Sequence, residues 1–376
     1  MSQYLTTPLY YVNAQPHLGH AFTTILADFL KRHYQQRDVP TIFLTGTDEH
    51  GEKIAQYAAQ AGMSPQKWAD QIAGDFKKTW DTMGIAYDVF YRTTAPSHVK
   101  AVQAALQYLF DRKEIVFREY EGLYCLGCER FRTETELTAD GNCPDHERAP
   151  ERRKESNYFF KMSAYQDRLI EHYRKNPSAI QPEHYRNEML SHLKEPLEDL
   201  CISRPKERLT WGIEIPFDAK YVTYVWFDAL LNYLVATGWQ DPTENRKNPE
   251  SAAWRQQWGQ SRHLIAKDIL RTHAVYWPTM LMALGVPVFR ELNVHGYWLV
   301  GESKMSKSLG NVIRPLEFSE KYGGETLRFY LLKEMSFGLD ATFTVEAFIQ
   351  SSNAHLANGI GNLCSRVLTL CHKGFM

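Results

Sequence analysis

The chain opens with Gln3-Tyr4-Leu5-Thr6-Thr7-Pro8-Leu9-Tyr10-Tyr11-Val12-Asn13-Ala14-Gln15-Pro16-His17-Leu18-Gly19-His20. Gln3 to Val12 is rich in β-branched and aromatic side chains and reads as a buried strand. Leu18, Ala21, Phe22, Ile25, Leu26, Phe29, Leu30 and Tyr34 then recur at helical spacing. A strand therefore hands directly to a helix, and the hand-over carries two histidines and a glycine.

Working outward, Pro40 to Thr45 reads as a second strand, and helical patterns follow over Glu52 to Ala61 and Ser64 to Met83, with Ser64-Pro65 a suitable helix entry. Alternating strands and helices predict a parallel sheet covered on both faces. From about Arg118 to Arg153 the texture changes to short segments, charges and cysteines, and Asn157 to Lys161 looks like a returning strand. Helical patterns over Ala164–Lys175 and Pro182–Leu193 come next. A second series then reads strand Tyr221–Phe227, helix Asp228–Thr237, strand Arg262–Ala266, helix Ile269–Leu284 and strand Glu291–His295. Past Gly323 the pattern is almost wholly helical, including Val345 to Leu370. The fold class expected is α/β: a split Rossmann-like parallel sheet with an inserted module and a C-terminal helical segment. Such a sheet binds its ligand at the carboxyl ends of its strands, near the switch point.

Composition narrows the function classes. The 376 residues carry 43 Lys plus Arg against 44 Asp plus Glu, so a polyanion must be met by a local patch rather than by a global field. The most apolar run, Trp277 to Phe289, is broken by Pro278, Gly285 and Pro287 and is too short to span a membrane. The start lacks a basic and apolar leader, which makes the cytoplasm the expected location. No P-loop and no G-x-G-x-x-G after a strand is present, which disfavours a P-loop ATPase and a dehydrogenase.

Six cysteines are too few for a disulfide framework in a chain of this length. Cys125-x2-Cys128-x14-Cys143-x2-His146 has the spacing of a closed structural zinc knuckle, with Gly127 and Gly141 permitting tight turns around one ion per chain. Two fortuitous thiol pairs or a redox Cys-x-x-Cys are the alternatives, although a redox pair would not need the second half-site. Cys201, Cys364 and Cys371 read as small apolar residues.

Two further constellations bear on chemistry. His17 and His20 lie one helical turn apart at a helix start, where free N–H groups and Gly19 suit a phosphate. Lys304-Met305-Ser306-Lys307-Ser308 offers two ammonium groups on a small-residue loop able to close over a triphosphate. Each alone also reads as polar decoration of a helix start or a solvated turn.

Together, His-x-Gly-His at the first strand and Lys-Met-Ser-Lys-Ser after the last form the paired signature that this chain shares with class I aminoacyl-tRNA synthetases, which it resembles. Within that class it is most similar to the methionyl-tRNA synthetases, from Thr7 to about Arg366. Leu9 to His20 resembles that family's opening. Further matches are Thr45-Gly46-Thr47-Asp48-Glu49-His50-Gly51, Ile202-Ser203-Arg204, Trp211-Gly212-Ile213, Tyr224-Val225-Trp226-Phe227-Asp228-Ala229, and Lys267-Asp268-Ile269 with His273.

The resemblance implies ATP-dependent activation of L-methionine to methionyl-adenylate and its transfer to tRNA(Met), with Mg²⁺ accompanying ATP. His17, Gly19 and His20, together with Lys304, Lys307 and Ser308, would hold ATP; His17, His20, Lys304 and Lys307 would be catalytic. Leu9, Tyr11, Trp226, Ala229, Leu230, Tyr233, Ile269 and His273 would form the methionine pocket, with Asp48 on the ammonium. On residue type alone, Trp226, Tyr233 and His273 read equally as core, and Asp48 as a helix cap. Thr272 departs from the bulky aromatic usual before the family's histidine. Asn362 and Arg366 lie on what resembles the first helix of an anticodon-binding bundle, so tRNA charging is expected to be impaired if residue 376 is the natural end. A synthetase-like paralogue that binds methionine or ATP for regulation, or loads another acceptor, is the alternative; oligomeric state is left open.

The domains expected are a Rossmann-like first half over 1–117 and a zinc-knuckle insert over 118–155, within a connective region to about 204. A second half follows over 205–300, then the Lys-Met-Ser-Lys-Ser loop and a stem-contact helical region over 301–340, and the bundle's first helix over 341–376.

Overall fold

The structure is a computed structural model that describes residues 2–128, 130–243, 253–300, 303–304 and 312–374, with the backbone only at 120, 130, 131, 135, 155, 303 and 304. The opening stretch forms two strands, β1 Gln3–Thr6 and β2 Tyr10–Tyr11. Both run along one edge of β3, Thr41–Asp48, while β4, Val89–Arg92, takes the other edge. The single strand expected over Gln3–Val12 is thus interrupted at Thr7–Leu9, where Pro8 has no N–H to give to a ladder. Between β1 and β3 runs helix α1, Leu18–Gln35, which buries Leu18, Ala21, Phe22 and Ile25. Arg32 and His33 in its last turn suit the negative end of the helix dipole. Helix α2, Glu52–Gln60, and α3, Pro65–Thr82, follow β3; the Ser64 hydroxyl accepts from Lys67 N at 3.3 Å at the start of α3. Helix α4, Pro96–Asp111, follows β4.

The chain then leaves the parallel sheet. Strand β5, Ile115–Cys125, pairs antiparallel with β6, Arg130–Arg132, and with β7, Glu151–Phe160, along ten register positions from Ile115↔Phe160 to Tyr124↔Glu151. Helices α5, Gln166–Lys175, and α6, Glu183–His192, flank β8, Ile180–Gln181, which returns to the edge of the parallel sheet. Strand β9, Leu200–Cys201, completes the antiparallel sheet beside β7. A small antiparallel sheet of β10, Ser203–Pro205, β11, Glu214–Ile215, and β12, Asp218–Thr223, comes next. The expected strand Tyr221–Phe227 is therefore split: its first part belongs to this separate sheet, and Val225–Leu230 is helix α7. The parallel sheet resumes with β13, Ser261–Ala266, beside β1, and β14, Glu291–His295, beside β13.

The main sheet reads β4-β3-β1-β13-β14-β8, all parallel, so chain order reverses direction between β1 and β13. A ligand is expected at the carboxyl ends of those two strands. The helix expected over Ile269–Leu284 is a short 3-10 turn at Lys267–Ile269, a π turn at Thr272–Tyr276 and an α-helix at Trp277–Leu284, closed by Gly285 in the left-handed region. Past Gly323 the described chain is helical except over 335–344, a turn followed by a short strand, Ala341–Phe343, which pairs with Trp298–Val300.

Two apolar clusters cover the sheet. One centres on Tyr233, Trp258, Ile265, Trp277 and Leu292. The other joins Phe22 of α1 and Phe76 and Trp80 of α3 to Trp298, Tyr330, Phe343 and Phe348, and so fastens the C-terminal helices to the first half of the sheet. Each such buried side chain contributes about 1.5–3 kcal/mol. Among the described residues, no helix is long and apolar enough to cross a membrane.

Candidate active site

His17 is the N-cap of α1 and its Nδ1 accepts from Gly19 N at 3.1 Å; His20 Nδ1 accepts from His17 N at 3.3 Å. The two histidines thus form a reciprocal capping box, and their rings stack at 3.6 Å between centroids. A Cβ on residue 19 would lie 3.0 Å from the His17 ring, which gives the intervening glycine its reason. The Tyr10 ring lies 4.8 Å from that of His20, and its hydroxyl is bonded to Thr24 Oγ1 at 2.7 Å. Nδ1 of each imidazole is thus held by the backbone.

The chain after the Lys-Met-Ser-Lys-Ser stretch returns to the same place. Leu18 N donates to Ile313 O at 3.1 Å, and Arg314 Nη1 donates to Gln15 O at 3.0 Å. On the other flank, Ser303–Lys304 pairs with Trp298–Val300 beyond the end of β14. Lys307 and Ser308 lie outside the described residues, and of Lys304 only the backbone is described.

The residues expected to hold methionine come from four places at the strand ends. Tyr11 on β2 is the register partner of Asp48 at the end of β3, and Val12 N donates to Asp48 O at 3.1 Å. Tyr11, Trp226 and Ile269 are partly buried against the cluster that contains Leu230 and Tyr233. Ala229 is buried on α7, and Leu9 is half-buried between β1 and β2. Tyr4 Oη donates to Tyr233 O at 2.8 Å, Tyr233 Oη is 2.8 Å from His273 Nε2, and His273 Nδ1 is 2.9 Å from Ile269 O. Burial pushes the Tyr233 hydroxyl well above its usual range, with Tyr10 and Asp48 adding to it. Burial also holds His273 down to about 4, so this imidazole is neutral near pH 7. A cavity of about 490 Å³ lies elsewhere, between Arg204, Arg271 and Tyr276 on one side and Phe159 and Leu197 on the other; none of the expected methionine residues lines it.

Sequence reasoning passed over the supports of Asp48. Glu49, fully buried, takes a two-pronged bond from Arg92, Nε to Oε1 at 2.6 Å and Nη2 to Oε2 at 2.9 Å, and Thr47 and Thr94 donate to it as well. His50 Nδ1 bonds Asp228 Oδ2 at 2.6 Å. Three ionisable residues in a row at the end of an apolar strand mark Glu49 and His50 in the sequence, though nothing there marks their partners Arg92 and Asp228. Also passed over was His295 at the end of β14, whose Nε2 lies 2.7 Å from Thr23 Oγ1 of α1.

Cys125, Cys128, Cys143 and His146 have ligand atoms that all lie within 4.8 Å of one another and could hold a metal ion. Cys128 Sγ is 3.5 Å from Cys143 Sγ and 3.4 Å from His146 Nδ1; Cys143 Sγ is 3.8 Å from His146 Nδ1. A tetrahedral ion with metal–sulfur bonds of about 2.3 Å requires ligand–ligand edges of roughly 3.5–3.8 Å; the distances among Cys128, Cys143 and His146 lie close to these, whereas Cys125 Sγ stands farther off, 4.0 Å from His146 Nδ1. Arg132 Nη2 lies 2.7 Å from Cys128 Sγ and also pairs with Asp145, giving the thiolate a cationic neighbour outside the ligand set. Of the remaining cysteines, Cys201 is half-buried, whereas Cys364 and Cys371 are exposed and do not pack as apolar residues. Asn362 and Arg366 are exposed on the helix Asn362–Gly374.

Comparison with known proteins gives this geometry a family. The model of class I tRNA synthetases (M) matches residues 3–149 and 145–368. A methionine--tRNA ligase of Clostridium perfringens is 46% identical over 373 residues, covering 99% of this chain and 56% of that protein. Another, of Thermosynechococcus vestitus, is 44% identical and covers 98% of this chain and 69% of that protein. The solved methionyl-tRNA synthetase of Mycobacterium tuberculosis in complex with methionyl-adenylate superposes with a TM-score of 0.92 at 38% identity, covering 99% of this chain and 72% of that one. The chain spans little more than half the length of several curated relatives, 56% and 57% for two Clostridium proteins. Motifs, fold and relatives agree, and the chain belongs to the methionyl-tRNA synthetases, within the class I tRNA synthetases.

Proposed function

We propose that this chain activates L-methionine with ATP and passes the methionyl group to tRNA(Met). In the first step a methionine carboxylate oxygen attacks the α-phosphorus of ATP, the bond from that phosphorus to the bridging oxygen breaks, and pyrophosphate leaves with Mg²⁺ accompanying the phosphates. The tRNA terminal ribose hydroxyl then attacks the acyl carbon, and AMP leaves. No covalent enzyme intermediate is involved; the protein contributes positioning and charge stabilisation.

Asp48 is assigned to the substrate ammonium, and Leu9, Tyr11, Trp226, Ala229, Leu230, Tyr233, Ile269 and His273 to the thioether slot. A neutral His273, held by Tyr233 and Ile269, suits an uncharged side chain. His17, Gly19 and His20 are assigned to ATP, with Lys304, Lys307 and Ser308 over the pyrophosphate, and Asn362 and Arg366 to the anticodon. The metal at the cysteine cluster is assigned as zinc, a structural ion that stiffens the insert and takes no part in bond making. The domain division follows the sequence boundaries at 117, 155, 204, 300 and 340, and the site of action is the cytoplasm.

The observation that carries this reading is the convergence at the α1 start, where the stacked His17–His20 pair is bracketed by Gln15 and Leu18, which bond Arg314 and Ile313 from beyond the Lys-Met-Ser-Lys-Ser stretch, on the sheet whose strand β3 ends in Asp48. The ligase names of the relatives and the adenylate complex support it over a regulatory paralogue. The test is methionine-dependent ATP–pyrophosphate exchange, followed by charging of tRNA(Met). The wild-type chain should exchange, and His20→Ala or Lys307→Ala should lower the rate by about 10²-fold or more. A chain that binds methionine without exchange, or mutants at wild-type rate, would overturn the proposal.

A further inference from the structure

Asp228 is completely buried, and its two carboxylate oxygens are taken by imidazoles from two different elements. Oδ2 is 2.6 Å from His50 Nδ1, just beyond β3, and Oδ1 is 2.6 Å from His98 Nε2, in the first turn of α4. His98 is also fully buried, and its Nδ1 has no hydrogen-bond partner among the described residues, so the ring is held through Nε2, which faces Asp228. Burial pushes the Asp228 carboxyl up, but the charge and hydrogen bonds of the two imidazoles more than offset this and keep it below the usual carboxylate range.

A buried ionised carboxylate is costly, and an apolar residue of similar volume is commonly neutral or better for stability. What the carboxylate supplies is geometry. Asp228 sits on α7 between Trp226 and Ala229, while His50 lies two residues beyond Asp48. His50 is further held by the Trp211 ring at 5.4 Å, and Trp211 Nε1 donates to Glu49 O at 2.5 Å. The Asp228–His50 bond thus ties the strand end carrying Asp48 to the helix carrying Trp226, Ala229 and Leu230.

We infer that Asp228, through His50 and His98, is a positioning residue that sets the distance between the Asp48 carboxylate and the apolar slot on α7, and so fixes the length of amino acid the site accepts. This rests on the reading of those residues as a methionine site. Asp228→Asn keeps the volume, but its amide can accept from only one imidazole N–H and turns a donor toward the other.

In ATP–pyrophosphate exchange, Asp228→Asn should raise the methionine KM about tenfold, with kcat within about twofold and the ATP KM unchanged. His50→Asn, whose amide nitrogen can occupy the place of Nδ1, should stay within about threefold of wild type, whereas His50→Leu should behave as Asp228→Asn. Far-UV circular dichroism and thermal melts give the folded fraction, and if Asp228→Asn does not fold, the contrast between His50→Asn and His50→Leu decides. An unchanged methionine KM, or methionine and ATP KM values rising together, would overturn the inference. Wild-type protein without methionine-dependent exchange would instead overturn the underlying functional reading.

Discussion

Tyr233 Oη lies 2.8 Å from Nε2 of His273, and the other ring nitrogen of His273 faces Ile269 O at 2.9 Å. The imidazole is thereby fixed in one tautomer, with Nδ1 donating to the backbone and Nε2 accepting from the phenol. Tyr233→Phe would leave a buried acceptor without its donor, an expected loss of about 1–3 kcal/mol in unfolding free energy, read by urea titration. His273→Gln should lose less, because its amide can accept from the Tyr233 hydroxyl.

Acid should unfold this protein through its buried histidines. Burial holds both His273 and His295 down to about 4, against an ordinary value of 6.5. The unfolded chain binds protons that the folded chain refuses, so stability is full above about pH 6.5 and falls as pH drops toward 4. Each histidine accounts for on the order of 2 kcal/mol by pH 5. Melting curves from pH 7.5 to 5 should shift downward, and His295→Gln should flatten that shift. A pH-independent melting temperature over this range would contradict the assignment.

Asp28 on α1 is completely buried; it pairs with Arg328 of the helix Gly324–Glu334 and with Arg32, and accepts from Ala86 N at 2.8 Å. Arg328 also donates to Met83 O at 3.2 Å. One carboxylate thus fastens the signature helix to the helices that follow the Lys-Met-Ser-Lys-Ser loop. Asp28→Ala should cost about 3–5 kcal/mol, since it leaves the buried Arg328 guanidinium with only the exposed Glu325, 3.4 Å from its Nε, as counter-charge. Asp28→Ala with Arg328→Met should recover part of that loss in a double-mutant cycle.

What could be read in the sequence was set by local physics. The strand read over Gln3–Val12, which the structure divides into Gln3–Thr6 and Tyr10–Tyr11, shows in its β-branched and aromatic side chains, the helix after Pro16 shows in its period, and the cysteine spacing is a local constraint. Tyr221-Val222-Thr223-Tyr224-Val225-Trp226-Phe227 is β-branched or aromatic throughout and fits strand or helix equally; the partner strand Ser203–Pro205 claims its start and Tyr224 caps the helix that follows. Helix and strand cannot be separated by period in so short a run. The supports of Asp48 were illegible for another reason: Asp228 meets His50 and His98 across 178 and 130 residues, and no pattern along the chain announces such a meeting.

The metal centre provides the sharpest test, because two glycines in it serve different ends. A Cβ on residue 127 would overlap the His146 imidazole, with its ring Nδ1 only 2.7 Å away, so Gly127 is small in order to let that ligand close on Cys125 and Cys128. Gly141 instead has φ +76° and nothing within 4 Å of an added Cβ, so it serves backbone conformation in the turn before Cys143. Gly127→Ala should therefore displace His146 and lower metal affinity by one to two orders of magnitude, whereas Gly141→Ala should cost about 1 kcal/mol of stability and leave affinity within a few-fold. Metal analysis of wild-type protein should give about one zinc per chain, and Cys128→Ser should lose it. Hydrogen exchange should then rise over 118–155, where the ion replaces a core that this small module lacks. Competition with a chromophoric chelator orders the four proteins. Equal affinity in Gly127→Ala and Gly141→Ala would mean that His146 does not close the site, and metal-free wild-type protein with full protection over 118–155 would remove the ion from the structure altogether.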